Sequence, residues 1–82
     1  MIDHVIDTTG LNCPLPFLKL CRSLRGMAVG AKVEVLSTDP LAPDDFRDLC
    51  DAQGHDLISS EAKGPITRTI IRVKTAAVQA GS

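Results

Sequence analysis

Two short apolar runs, at residues 4–8 and 31–38, bracket a segment whose apolar residues recur every three or four positions. Phe17, Leu20, Cys21, Leu24, Met27 and Ala28 fall on one stripe of a helix running from Pro14 to about Met27, and Lys19, Arg22 and Arg25 fall off it. Strand, helix and strand in that order return through a crossover, which pairs the two strands in parallel and almost always with a right hand. That unit decides most of the architecture. Pro14 and Pro16 do not oppose the helix, because first-turn N–H groups have no intrahelical partner to lose. Val29-Gly30 ends it.

Within residues 31–38, Val33, Val35 and Ser37 share one face, and Lys32, Glu34 and Leu36 the other. Asp39-Pro40 closes the strand. A second helix starts near Pro43, with Asp44 and Asp45 in its first turn, where carboxylates favour the helix dipole. Phe46, Leu49, Cys50 and Gln53 mark its inward side, and Gly54 stops it. Residues 56–62 form a third strand, Lys63-Gly64-Pro65 a turn, and residues 66–75 a fourth strand that pairs with the third as a hairpin. On that last strand Ile66, Arg68, Ile70 and Arg72 alternate with Thr67, Thr69, Ile71 and Val73, which suits a sheet covered on one side only. The expected fold is an α/β (α+β) two-layer sandwich, β-α-β-α-β-β, with a four-stranded mixed sheet and two helices on one face. One domain spans residues 1–75, and residues 76–82 form a flexible tail.

At 82 residues there is room for a single core, and with Phe17 and Phe46 the only aromatics it is built from Leu, Ile, Val, Ala and cysteine. A net charge of −1 supplies no general attraction to nucleic acid or an anionic membrane, so no direct nucleic-acid partner is expected. No apolar run approaches the roughly 20 residues of a membrane span, and the opening residues lack the pattern of a secretory signal. A cytoplasmic protein is the expectation. Cys13, Cys21 and Cys50 form no C-x-x-C pair, and His4 and His55 fall outside zinc-finger spacing, so neither a metal nor another cofactor is expected.

The most informative segment is Gly10-Leu11-Asn12-Cys13-Pro14-Leu15-Pro16. It sets Cys13 between a glycine turn and a helix start, facing unpaired N–H groups and the positive end of the helix dipole. Those features favour thiolate and draw the pKa below its free value of about 8.5. A persulfide, also an anion, gains from the same groups. Pro14 presets the helical φ at the first position, and Pro16 stiffens the same turn. The plainer alternative is that Cys13 is a small residue that starts a helix.

Here the sequence resembles the TusA-like (SirA-like) sulfur-carrier family, marked by Cys-Pro-X-Pro at the start of the first helix. The motif reads Cys13-Pro14-Leu15-Pro16, preceded by Asp7-Thr8-Thr9-Gly10-Leu11. Gly30, Asp39-Pro40, His55-Asp56-Leu57 and Gly64 continue the likeness, which spans roughly residues 4–75. The resemblance implies a carrier that accepts sulfur as a persulfide on Cys13 from a donor protein, a cysteine desulfurase or a rhodanese. It then relays the sulfur to an acceptor protein, DsrE-like or similar, in tRNA thiolation, molybdenum-cofactor supply or sulfur oxidation.

The remaining candidates each carry two readings. Leu15 and Leu18 either fill the edge of the core or form an apolar patch where partners dock, supplemented by Lys19, Arg22 and Arg25. Cys21 and Cys50 read as core residues, and eight helical residues span about 12 Å, which puts Cys21 beyond disulfide reach of Cys13. Arg68 and Arg72 are either solvated or meet an acidic partner or an RNA backbone. Asp39 caps the strand-to-helix turn or does acid–base work, and His4 and His55 read as surface or loop residues. Two other functions compete with sulfur transfer: a redox-regulatory interaction domain oxidised at Cys13, and an RNA-binding module, which the scarcity of aromatics for stacking disfavours.

Overall fold

The computed structural model describes residues 2–74. The expected domain end at Thr75 and the tail at residues 76–82 lie outside the described residues. Six elements follow one another: β1 (His4–Thr8), α1 (Leu15–Leu24), β2 (Lys32–Ser37), α2 (Ala42–Gln53), β3 (Asp56–Lys63) and β4 (Ile66–Arg72). They form one sheet in the order β1-β2-β4-β3. β1 pairs with β2 in parallel, Ile6 opposite Val35 and Thr8 opposite Ser37. β4 is antiparallel to both β2 and β3.

Burial explains why β4 lies between β2 and β3. Thr69 and Ile71 are fully buried, whereas β3 is largely exposed and carries Glu61 and Lys63, charges suited to an edge. A register shift between Leu57 and Ser59 further breaks the regularity of that edge. Pairing of β2 and β4 runs on past Arg72: the Val73 N–H donates to the Ala31 carbonyl at 2.9 Å, and the Gly30 N–H to the Val73 carbonyl at 2.6 Å.

Both helices lie on one face. Leu20 and Leu24 from α1 and Phe46, Leu49 and Cys50 from α2 close over Ile6, Val33, Val35, Ile71 and Val73. On the other face the Arg68 guanidinium meets Glu34 at 2.7 Å and ties β4 to β2.

One helix boundary and one helix face differ from expectation. α1 ends at Leu24, not Met27, because Arg25 is extended and Gly26 takes φ +84°, a left-handed conformation that halts the helix before Val29-Gly30 is reached. Met27 still packs against the core, while Ala28 is exposed. In α2 Gln53 is exposed, and Ala42, at the opposite end, is the buried residue. Gly54 stops α2 as expected, at φ +78° with its N–H on the Cys50 carbonyl.

Ile71→Ala empties a fully buried position on a strand paired at both edges. It is expected to destabilise the fold by about 3 kcal/mol. Urea unfolding checks this as a lower midpoint at unchanged slope.

Candidate functional site

Parallel pairing leaves the C-terminal ends of β1 and β2 side by side, and the loops that leave them hold each other. After β1, the Asp7 carboxylate accepts the Thr9 N–H at 2.9 Å and its hydroxyl at 2.6 Å. Those bonds, helped by the Lys19 charge, hold the Asp7 carboxyl below its usual range. Gly10 then turns at φ +81°, which only glycine adopts at little cost, and donates its N–H to Thr38 Oγ1 at 2.9 Å. Cys13 donates its N–H to Asp39 Oδ2 at 2.5 Å. The other oxygen of Asp39 accepts the Leu41 N–H at 2.9 Å. Asp39 therefore caps its own turn and also anchors the Cys13 loop, and the bonds from Leu41 and Cys13 lower its pKa.

Cys13 stands exposed at this junction, ahead of a cis Cys13–Pro14 peptide. Pro14 is the N-cap residue with φ −96°, so the first helical position belongs to Leu15, and Pro16 follows in the first turn. The expectation that Pro14 occupies the first helical position is corrected accordingly.

A larger correction concerns the thiol. Its S–H donates to Asp45 Oδ2 at 3.5 Å. That hydrogen bond first, then partial desolvation and the charges of Asp45 and Asp39, push the Cys13 thiol above its ordinary value. The expected lowering by free N–H groups fails for a countable reason. Pro14 and Pro16 have no N–H, that of Cys13 is given to Asp39, and that of Leu15 goes to the Asn12 carbonyl at 2.9 Å. Few donors remain to offset two carboxylates.

Beside Cys13, α1 and its preceding loop form a shallow groove of about 390 Å³ lined by Leu11, Leu15, Leu18, Lys19 and Arg22. Leu15 and Leu18 are 51% and 47% exposed, so they do not fill the core edge. The structure brings four of the five candidate docking residues, Leu15, Leu18, Lys19 and Arg22, into one surface and adds Leu11. Arg25 is not among the lining residues. Lys19 has a second task, donating from Nζ to the Asp7 carbonyl at 2.6 Å.

Thr38 and Asp45 are the site residues that sequence reasoning missed. The signal was present in the crossover itself, since parallel strands bring together whatever follows them, here Gly10 to Cys13 and Thr38 to Asp45. Elsewhere, Cys50 is buried and its thiol is pushed up to about 11, mainly by burial. Cys21 is half-buried against the core, and burial raises its pKa too. Arg68 is engaged by Glu34, while Arg72 and His4 are exposed.

His55 is not a surface residue. It is buried, its Nδ1 accepts the Lys74 N–H at 3.1 Å, and its Nε2 has no hydrogen-bond partner. Among the described residues no three His, Cys, Asp or Glu side chains group as a metal site, and no helix is long and apolar enough to cross a membrane.

Comparison with known proteins adds four findings. The family model described as Sulfurtransferase TusA matches residues 4–73. A sulfur carrier protein TusA of Pseudomonas putida is 39% identical over 59 residues, covering 72% of this chain and 74% of the relative. A putative sulfur carrier protein of Neisseria meningitidis serogroup A is 41% identical over 71 residues, 85% of this chain and 96% of the relative. Among solved structures, a SirA-like protein from Desulfitobacterium hafniense superposes with a TM-score of 0.77 at 19% identity, over 88% of this chain and 99% of that one. At that identity the likeness shows the fold.

Burial lowers the His55 pKa from 6.5. As pH falls, the unfolded chain therefore takes up the proton first. The stability held by neutral His55 is complete above about pH 6.5 and is lost as pH falls from there toward the folded value. Urea midpoints at about pH 7.5 and about pH 5.5 are expected to differ more for the wild type than for His55→Gln, which cannot titrate.

Proposed function

This chain belongs to the TusA sulfurtransferase family, and on that premise we propose that it carries sulfur between proteins as a persulfide on Cys13. The observation that carries the reading is the placement of Cys13: exposed, on a loop tied across two parallel strands, beside an open groove. A carrier's sulfur must enter two different partner sites, and a fixed projecting tip serves that better than a cleft.

The cycle has two exchanges. In the first, the Cys13 sulfur, as thiolate, attacks the outer sulfur of a donor persulfide. The donor's S–S bond breaks as the new one forms, and the departing donor thiolate takes up the proton that Cys13 gave. In the second, an acceptor cysteine attacks the terminal sulfur on Cys13, and Cys13 leaves as thiolate and is protonated again. One sulfur moves at each step, with no net oxidation. We assign the donor to the cysteine desulfurases or rhodaneses, the acceptor to a DsrE-like or similar protein, and the setting to the cytoplasm.

The groove of Leu11, Leu15, Leu18, Lys19 and Arg22 supports docking: exposed leucines supply apolar area, and the two cations supply orientation. A redox-regulatory domain oxidised at Cys13 would use the same exposed thiol but leaves the neighbouring groove without a role.

Incubating the protein with a desulfurase and cysteine, or a rhodanese and thiosulfate, is expected to add one reducible sulfur to the intact mass of the wild type and none to Cys13→Ser. A gain that survives in Cys13→Ser would move the chemistry to Cys21 or Cys50. The paired variant Leu18→Asp/Arg22→Glu is expected to raise the KM for a protein donor about tenfold, the cost of a moderate interface contact. Loading from a small persulfide should change less; equal losses with both donors would remove the groove from docking.

A further inference from the structure

The contact between Cys13 and Asp45 has a consequence for the direction of transfer. Sγ of the unloaded cysteine carries the one hydrogen that the Asp45 carboxylate accepts. Once sulfur is loaded, Sγ is bonded to the terminal sulfur instead and that hydrogen is gone. An ionised persulfide has no hydrogen to donate from either sulfur, and its charge lies beside Asp45 and Asp39.

We propose that Asp45 poises Cys13 to give sulfur away, by binding its unloaded thiol and opposing its loaded persulfide. The inference rests on the carrier reading of Cys13 and deepens it. The exchange it governs is R–S–S⁻ + Cys13–SH → R–SH + Cys13–S–S⁻. The donor S–S bond breaks, a new one forms at Sγ, and the Cys13 proton passes to the departing donor sulfur. Asp45 stabilises the left side through its hydrogen bond and raises the right side through charge repulsion. The sulfur is therefore held loosely and passes readily to an acceptor.

Among the described residues neither Asp45 nor Asp39 has a salt-bridge partner. α1 has no acidic residue in its first turn, and its cations Lys19 and Arg22 line the docking groove. Lys19 is further drawn to the Asp7 carbonyl. From the β1 side the Asp7 carboxylate is occupied by Thr9, and from the β2 side Asp39 is occupied by the N–H groups of Cys13 and Leu41. On α2, Asp44 is an exposed carboxylate one residue from Asp45. It serves as a control for charge without the contact.

The test equilibrates wild type, Asp45→Asn, Asp45→Ser and Asp44→Asn with a fixed ratio of glutathione persulfide to glutathione. The loaded fraction is read by intact mass and mapped to Cys13 by peptide, with circular dichroism to verify folding. Serine is included because it favours helix N-terminal positions and removes the charge should asparagine disturb the fold. Both Asp45 variants are expected to shift the equilibrium several-fold toward the loaded form, with Asp44→Asn close to wild type. In parallel, alkylation of Cys13 followed against pH is expected to show its titration moving to lower pH in the Asp45 variants alone.

Equal loading together with an unchanged alkylation profile would overturn the role of Asp45 and leave the carrier reading standing. Loading that responds equally to Asp44→Asn would also overturn it, since charge in general rather than the contact would then set the poise. No uptake by any of the proteins would overturn the carrier reading, and this inference with it.

Discussion

Parallel pairing of β1 with β2 is the constraint from which the site follows. Thr8 and Ser37 end their strands as neighbours, so both chains leave the sheet at the same edge and both helices start there. Neither loop could hold Cys13 alone. Gly10 and Cys13 donate from one loop, Thr38 and Asp39 accept from the other, and the cysteine is fixed between them. The hydrophobic core acts at one remove: Leu20, Leu24 and Phe46 seat α1 and α2 on the same face, which keeps the two helix starts together.

The same convergence sets the electrostatics of the thiol. A helix start ordinarily offers several free N–H groups to an anion. Here two prolines and two internal hydrogen bonds remove most of that supply, and the adjoining helix presents Asp45 instead. The fold thus mounts a cysteine at a helix start with a carboxylate, rather than a set of free N–H groups, facing its sulfur. The stiffness that the Pro14-Leu15-Pro16 run gives the tip comes at the expense of the donors that would have favoured thiolate.

Much of this was legible in the sequence, and the failures have physical causes. Periodicity located all six elements, because Val33, Val35 and Ser37 alternate on β2 and Leu20 and Leu24 repeat on α1 as burial requires. It could not say that β4 lies inside the sheet, since an alternating strand reads alike whether it has one neighbour or two. The end of α1 was misplaced because the apolar stripe continues to Met27, which reaches the core from beyond the helix, while Gly26 had already turned the chain. His55 was misread because a histidine after a helix-stopping glycine resembles a loop residue. Only the tertiary fold shows that it caps the N–H of Lys74. At the site, single residues were legible but their pairings were not. Asp45 was assigned to the helix dipole, and its contact with a cysteine 32 positions earlier depends on how the two helices sit together.

In the proposed cycle the exposed Cys13 thiol meets two partners and faces opposing demands. If it were strongly activated it would react with whatever electrophile reached it, because thiolate rather than thiol is the reactive form. If it were buried, no partner cysteine could approach its sulfur. A hydrogen bond to a carboxylate at the surface meets both demands, since it lowers the reactivity of the free thiol without covering it. Such a bond is also easily exchanged: at 3.5 Å to sulfur it is weak beside the 2.5 Å amide bond that holds the same residue's backbone. In the proposed cycle the mount is therefore held where the chain must be placed and yielding where sulfur is exchanged, with Asp39 serving the first need and Asp45 the second.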